Sequence, residues 1–245
     1  LKSLTDYCHQ LNKLFYNEIC IFLRKIESMK LFYTTLFIIS SLLSFSQDIE
    51  IYVSDAGNFN NGPWQILKFD SQGENPVVFI DDELDWPQDI LFLEDSAIVL
   101  ISNLGSGTIK RHDAETGEFI SDFATGINGP TRIKIGADSL LYVLQWNGTN
   151  KVKRYEMDGT FVDNFTSVGV SQSIGLDWDS DGNLYVSSYT GDDVRKFDSD
   201  GNDLGLFIDS DLAGPTNIWF DSNGDLLVAD YDGTAVKRFD SDGVY

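Results

Sequence analysis

"RKFDSDG", at 195–201, returns almost letter for letter as "KRFDSDG" at 237–243. One copy would read as a strand end followed by a turn. Two copies ask for a period. The aromatic position of the phrase recurs at Phe69, His112, Tyr155, Phe197 and Phe239, in steps of 43, 43, 42 and 42 residues. A second marker keeps the interval: Pro87, Pro130, Ser173 and Pro215 are spaced by 43, 43 and 42. Two independent markers with one period define an internal repeat.

The unit reads Pro-x-x-Ile-x-Phe-Asp-x-x-Gly-x-Leu-Tyr-Val, a variable loop, Val-x-Arg-Phe-Asp-x-Asp-Gly, a short apolar run and an acidic loop. Each copy holds four short stretches rich in Val, Ile, Leu, Phe and Tyr, bounded by Asp, Ser, Asn and Gly. That is the pattern of four strands joined by tight turns. No stretch after residue 47 keeps a helical period. Four strands in about 42 residues make a propeller blade. The fold class is therefore all-β, a β-propeller. Leucine-rich repeats are too short, tetratricopeptide repeats are helical, and the Gly-His…Trp-Asp signature of WD-type blades is absent. "FDSDG" then ends the third strand of a blade: the Phe packs between blades and the Gly of the hairpin takes a positive φ.

The phase of the repeat at the two ends matters. "IEIYVSD" (49–55) is a second-type strand, and the last unit stops at Tyr245 inside a fourth strand. Three full blades and two partial ones are expected. We read this as a fragment of a six-bladed protein, truncated at its C-terminus; the alternative is a five-bladed ring closed imperfectly.

"GNLYVSSY…VRKFDSDG" (182–201) and "GDLLVADY…VKRFDSDG" (224–243) resemble the NHL-repeat six-bladed propellers, close to the gluconolactonase/regucalcin-like ones, over roughly 48–245. The resemblance implies the fold. It says less about activity, because propellers host many.

Upstream of the repeats the composition changes. Residues 1–28 precede the first Met and read as upstream sequence translated in frame, with Met29 the start; a small amphipathic helix (Leu14, Phe15, Ile19, Ile21, Phe22, Leu23) of a larger protein is the alternative. "MKLFYTTLFIISSLLSFSQ" (29–47) reads as a secretory signal peptide. Lys30 is its charged end, 31–43 its apolar core, and Ser44-Phe45-Ser46 its small-residue cleavage site, leaving 47–245 as the propeller. Its apolar run is shorter than the ~20 residues of a spanning helix. Both cysteines, Cys8 and Cys20, precede Met29. The remainder therefore has no disulfide, zinc–thiolate site or thiol nucleophile. Export to a bacterial periplasm or the extracellular space, without a membrane tie beyond the signal peptide, is expected. The net charge of −22 repels phosphate backbones and excludes nucleic acid as a partner.

In such a propeller one face gathers two sets of loops. One set joins the second and third strands: 54–64, 102–108, 145–150, 188–193 and 230–235. The other leads into the innermost strand: 81–87, 124–130, 168–173 and 209–215. Trp64, Trp86, Trp146, Tyr189 and Tyr231 fall in these loops, with Asn147 and Asp192 beside them. Aromatic rings next to amides and acids suit a sugar or a peptide; capping of the blade rims is the competing reading.

The gluconolactonase-like resemblance implies a divalent cation at the central mouth, held just after the Pro position. The matching residues here are Gln88, Thr131, Ile174 and Thr216. "SIGLDW" (173–178) carries Ile174 where the family places an Asn ligand, and "PTN" (215–217) carries Thr216 in place of an Asp. A hard cation wants several carboxylates, so the resemblance argues against a metal-dependent lactonase. Gln88, Thr131 and Thr216 remain candidate mouth ligands. "DWDSDG" (177–182) spaces Asp177, Asp179 and Asp181 like the start of a calcium loop, but the twelfth position is Ser188 and the turn recurs at 221–224 and 240–243. A strand-to-strand turn is the preferred reading, with calcium as the one cofactor the pattern would admit.

His112 stands where other blades have Phe or Tyr and reads as a packing residue, and His9 lies in the leader. No imidazole is left for a general base or a Ser-His-Asp triad. The expected function is recognition of a carbohydrate, a peptide or an envelope protein by a monomer. The alternatives are a lactonase-like hydrolase or lyase at the mouth and a structural spacer in a larger secreted protein.

Overall fold

A computed structural model describes residues 49–58, 61–93 and 95–245. The expected leader (1–28) and signal peptide (29–46) lie outside the described residues. The apolar stretches become strands wherever β-branched and aromatic residues run between turn residues. The first sheet holds β1 (Ile51–Asp55), β2 (Gln65–Phe69) and β3 (Val77–Ile80). The second holds β4 (Pro87–Leu93), β5 (Ile98–Asn103), β6 (Thr108–Asp113) and β7 (Phe119–Ala124). The third holds β8 (Pro130–Ile135), β9 (Leu141–Gln145), β10 (Lys153–Tyr155) and β11 (Phe161–Asn164). The fourth holds β12 (Ser173–Trp178), β13 (Leu184–Ser188), β14 (Asp193–Phe197) and β15 (Asp203–Ile208). The fifth holds β16 (Pro215–Phe220), β17 (Leu226–Asp230) and β18 (Ala235–Phe239).

Every pairing is antiparallel between sequence neighbours, and the sheets stack in chain order. The all-β propeller and its three full and two partial blades stand as expected. Five sheets are described, so a six-blade count is not part of the observed architecture.

The repeated phrase does one job in both places. Phe197 pairs with Leu184 and Phe239 with Leu226, and both rings are buried. In the following turn the Asp198 carboxylate accepts the amides of Asp200 (2.9 Å) and Asn202 (2.8 Å); Asp240 accepts those of Asp242 (3.0 Å) and Val244 (2.9 Å). Gly201 and Gly243 have φ of 80° and 77°. A Cβ on either would also stand 2.2 or 2.3 Å from the carbonyl oxygen of Phe165, just past β11, or Phe207, on β15, each in the preceding blade. The glycine is thus required twice over, by backbone conformation and by blade contact.

Four apolar seams join the five sheets. In three of them a tyrosine of the second strand meets a phenylalanine on, or just past, its own fourth strand and an aromatic of the next blade's innermost strand. Tyr52 lies 5.0 Å from Phe79 and 4.7 Å from Phe92, Tyr142 lies 5.2 Å from Phe165 and 5.0 Å from Trp178, and Tyr185 lies 4.8 Å from both Phe207 and Phe220. Each such ring pair adds about 0.5–1.5 kcal/mol beyond its buried area.

A hydroxyl ladder stitches the same seams near the mouth. Ser54 Oγ donates to the carbonyl of Pro87 (2.8 Å), Ser102 Oγ to Thr131 (2.6 Å), Thr131 Oγ1 to Ser173 (2.7 Å) and Ser187 Oγ to Thr216 (2.6 Å). The third sheet has Leu144 where the first, second and fourth place serine, and Thr131 supplies the missing donor from the innermost strand. Lower down, Asp89 accepts the amide of Ile133 (2.9 Å) and Asp177 that of Phe220 (2.8 Å), each binding one innermost strand to the next.

Candidate functional site

The loops after the second strands begin alike. The amides of Leu104, Trp146, Tyr189 and Tyr231 donate to the carbonyls of Trp86, Gly129, Gln172 and Gly214, the residues just before each innermost strand. This tie sets the first loop residue of successive blades side by side above the mouth. The row it builds is aromatic over three blades: Trp146 and Tyr189 have centroids 5.8 Å apart, and Tyr189 and Tyr231 6.3 Å. Tyr231 is 62% exposed. Such separations let neighbouring rings touch without stacking face to face.

Two glycines allow the close fit. Gly129 has φ 67°, and a Cβ there would stand 3.2 Å from the Cβ of Trp146. Gly214 has φ 63°, and its Cβ would stand 2.8 Å from the Tyr189 ring and 2.7 Å from the Asp232 carboxylate. The Tyr189 hydroxyl donates to Asp232 Oδ2 (3.2 Å), and the Gly214 amide donates to Asp192 Oδ1 (2.7 Å). Desolvation, with the Asp232 charge beside it, holds the Tyr189 phenol above its usual pKa. Beneath the row, the buried Asp230 accepts the amide of Ala213 (2.6 Å) and pairs with Lys237 (2.7 Å), fastening loop 209–215 to loop 230–235.

Trp146, Tyr189, Asp192 and Tyr231 are therefore brought together, and the exposed Asn147 follows Trp146 in the chain, its backbone N–H donating to the Asn128 carbonyl (3.0 Å). Trp64 and Trp86 are half-buried on the loops of the first two sheets. Gln88 follows Pro87 at the head of β4 and is half-buried. Thr131 is 1% exposed and its hydroxyl is engaged by Ser173, while Thr216 Oγ1 donates to the Ala229 carbonyl (3.0 Å). The first hydroxyl serves a blade seam and the second a bond within its own sheet. Asp232, Gly129 and Gly214 belong to the row and were not singled out from sequence; the signal for the glycines was their place just before Pro130 and Pro215.

The three aspartates of "DWDSDG" do not converge. Asp177 faces Lys134 (2.5 Å) and the Phe220 amide, whereas Asp179 accepts the Asp181 amide (3.0 Å) and the Tyr185 hydroxyl (3.0 Å) within its turn. Among the described residues, no three His, Cys, Asp or Glu side chains are placed to hold a metal ion together. His112 is fully buried, and its Nδ1 donates to the Gly117 carbonyl (3.0 Å).

No known family's sequence profile matches the chain. No curated protein matches it in sequence. Solved structures do match it in shape, and the class they share with this chain is the β-propeller. A chain of a nidogen/laminin complex aligns with a TM-score of 0.63 at 20% identity, covering 79% of this chain and 72% of that one. A putative gluconolactonase aligns at 0.60 and 15% identity, covering 74% and 68%. Virginiamycin B lyase from Staphylococcus aureus, solved with quinupristin, aligns at 0.62 and 17% identity, covering 82% and 66%. At these identities the likeness is one of fold. The chain spans between about two thirds and three quarters of the length of these three proteins.

Proposed function

We propose that the chain is the propeller of an exported binding protein, with the loop-rich face as its recognition surface and a carbohydrate, a peptide or an envelope protein as its ligand. The observation that carries this reading is the Trp146–Tyr189–Tyr231 row. Three rings from three blades meet at one repeat position, with carboxylates beside them. A six-bladed parent ring and a periplasmic or extracellular location belong to the same proposal. Binding is favoured over a lactonase or lyase activity because Thr131 spends its hydroxyl on the Ser173 carbonyl of the next blade and Thr216 spends its own on the Ala229 carbonyl of its sheet.

The test is an array of glycans and peptides probed with the full chain and with its Tyr231→Ala variant. Ligands retained by the wild type and lost by the variant support the reading. Turnover of a lactone or a cyclic depsipeptide by a chain whose array signal ignores Tyr231 would replace it.

A further inference from the structure

The charge around the aromatic row selects among those ligands, and the inference rests on the binding-face reading just given. The nine loop stretches of this face hold eleven Asp or Glu residues and not one Lys or Arg. Lys151 directly follows the Trp146 loop; the other basic residues of the described chain stand on the strands, and their partners are mostly elsewhere: Arg154 pairs with Asp138 and Asp163, Arg195 with Asp203, and Arg238 with Asp221 and Asp225. The carboxylates of the opposite turns also take backbone amides, as Asp198 and Asp240 do. Two cations do reach the loop face, Lys110 at Glu83 and Lys237 at Asp230. Among the described residues no Lys or Arg forms an ion pair with Asp192, Asp209, Asp211 or Asp232, all exposed at the Tyr189–Tyr231 end of the row.

The geometry points to an extended cationic peptide as the occupant of this row, lying along Trp146, Tyr189 and Tyr231 with Lys or Arg side chains at alternate positions. Spacing and charge both support it. An extended chain rises about 3.3 Å per residue, so alternate side chains on one side recur every ~6.6 Å. The ring-to-ring steps of 5.8 and 6.3 Å nearly match that repeat. A cation over the face of Tyr or Trp is held by the ring quadrupole, and Asp192 and Asp232 stand beside the rings to receive its charge. An uncharged sugar would use the rings and leave these carboxylates without a counter-charge. Anionic polymers are repelled outright.

The experiment uses the full chain and three probes: an octapeptide of alternating Lys and Thr, its Glu-for-Lys counterpart, and a neutral linear oligosaccharide. Affinity is read by fluorescence anisotropy at about 0.15 M salt, where exposed charges further apart than a Debye length are screened. The lysine peptide is expected to bind and the other two are not. Tyr231→Ala keeps every charge and should weaken binding about two- to fivefold. Asp232→Asn should weaken it similarly. Asp200→Asn removes the same charge from the opposite turns and should leave binding unchanged. Thermal melts confirm that each variant is folded. Lysine-peptide binding that ignores Tyr231→Ala is attraction to the net charge alone and overturns the inference. No binding of that peptide overturns it too. If the oligosaccharide binds instead and Tyr231→Ala abolishes it, the peptide class fails while the binding face stands. If array ligands also ignore Tyr231, both fail.

Discussion

Ile51 and Leu184 hold the same position in the repeat, opposite Phe69 and Phe197, yet Ile51 is 36% exposed and Leu184 is fully buried. The same holds for Val53, 43% exposed, against Val186. Within its sheet β13 lies between β12 and β14, whereas β1 is an end strand paired to β2. The sequence of β1 is that of an interior strand, and its surroundings are those of an edge. Burial, not residue type, should then decide what each side chain contributes. Leu184→Ala is expected to cost about 2–5 kcal/mol and Ile51→Ala less than about 1.5 kcal/mol, read as midpoint shifts in urea. Equal costs would show that β1 is covered in solution.

The hydroxyl ladder supports a second expectation. Ser102 Oγ and Thr131 Oγ1 are buried donors to carbonyls of the next blade. Removing either leaves a buried carbonyl unsatisfied, at about 1–3 kcal/mol. Ser102→Ala and Thr131→Val should therefore lower urea stability by that amount while ligand affinity stays unchanged. A lost ligand with unchanged stability would return Thr131 to the candidate site.

His112 gives the pH dependence. Its Nδ1–H is fixed by the Gly117 carbonyl, its Nε2 is buried with no hydrogen-bond partner, and desolvation holds its pKa below the usual value of 6.5. The unfolded chain therefore takes up a proton more readily than the folded one. Stability from this group is complete above about pH 6.5 and is lost as pH falls from there toward the lower folded pKa. His112→Phe, the residue other blades use, should remove this slope between pH 7 and 5 without loss of stability at pH 8. Tm measured across that range checks it; an unchanged slope would assign the dependence to another group.

Gly214 supports both the backbone and the row. An alanine there would meet the Tyr189 ring and the Asp232 carboxylate at a φ that disfavours side chains. Gly214→Ala is expected to cost about 1–3 kcal/mol and to weaken ligand binding together with Tyr231→Ala, seen by titration. Gly224 also has a positive φ but has no atom within 4 Å of an added Cβ, so Gly224→Ala should cost about 1 kcal/mol and spare binding.

How legible all this was in the sequence varied with the range of the interaction. Phe197 and Phe239 revealed the fold because strand and turn are local, and a period shows through composition. The Leu-Tyr-Val strands followed from the same alternation. The stitching did not: Ser102, Thr131 and Asp177 bond to residues 29 to 43 positions away, and a hydroxyl or carboxylate in the sequence carries no mark of its partner. For that reason Thr131 and Asp177 read as candidate ligands when they are seam residues. Trp146, Tyr189 and Tyr231 were legible as loop aromatics. Their meeting in one row, and the part of Asp232, depend on how blades sit side by side.

The central claim is that ligands meet the loop face. Hydrogen–deuterium exchange of the full chain, with and without its tightest array ligand, tests it most directly. Slowed exchange at 188–193 and 230–235, with the turns at 198–202 and 240–243 unaffected, is the result expected here. Protection confined to those turns would contradict it.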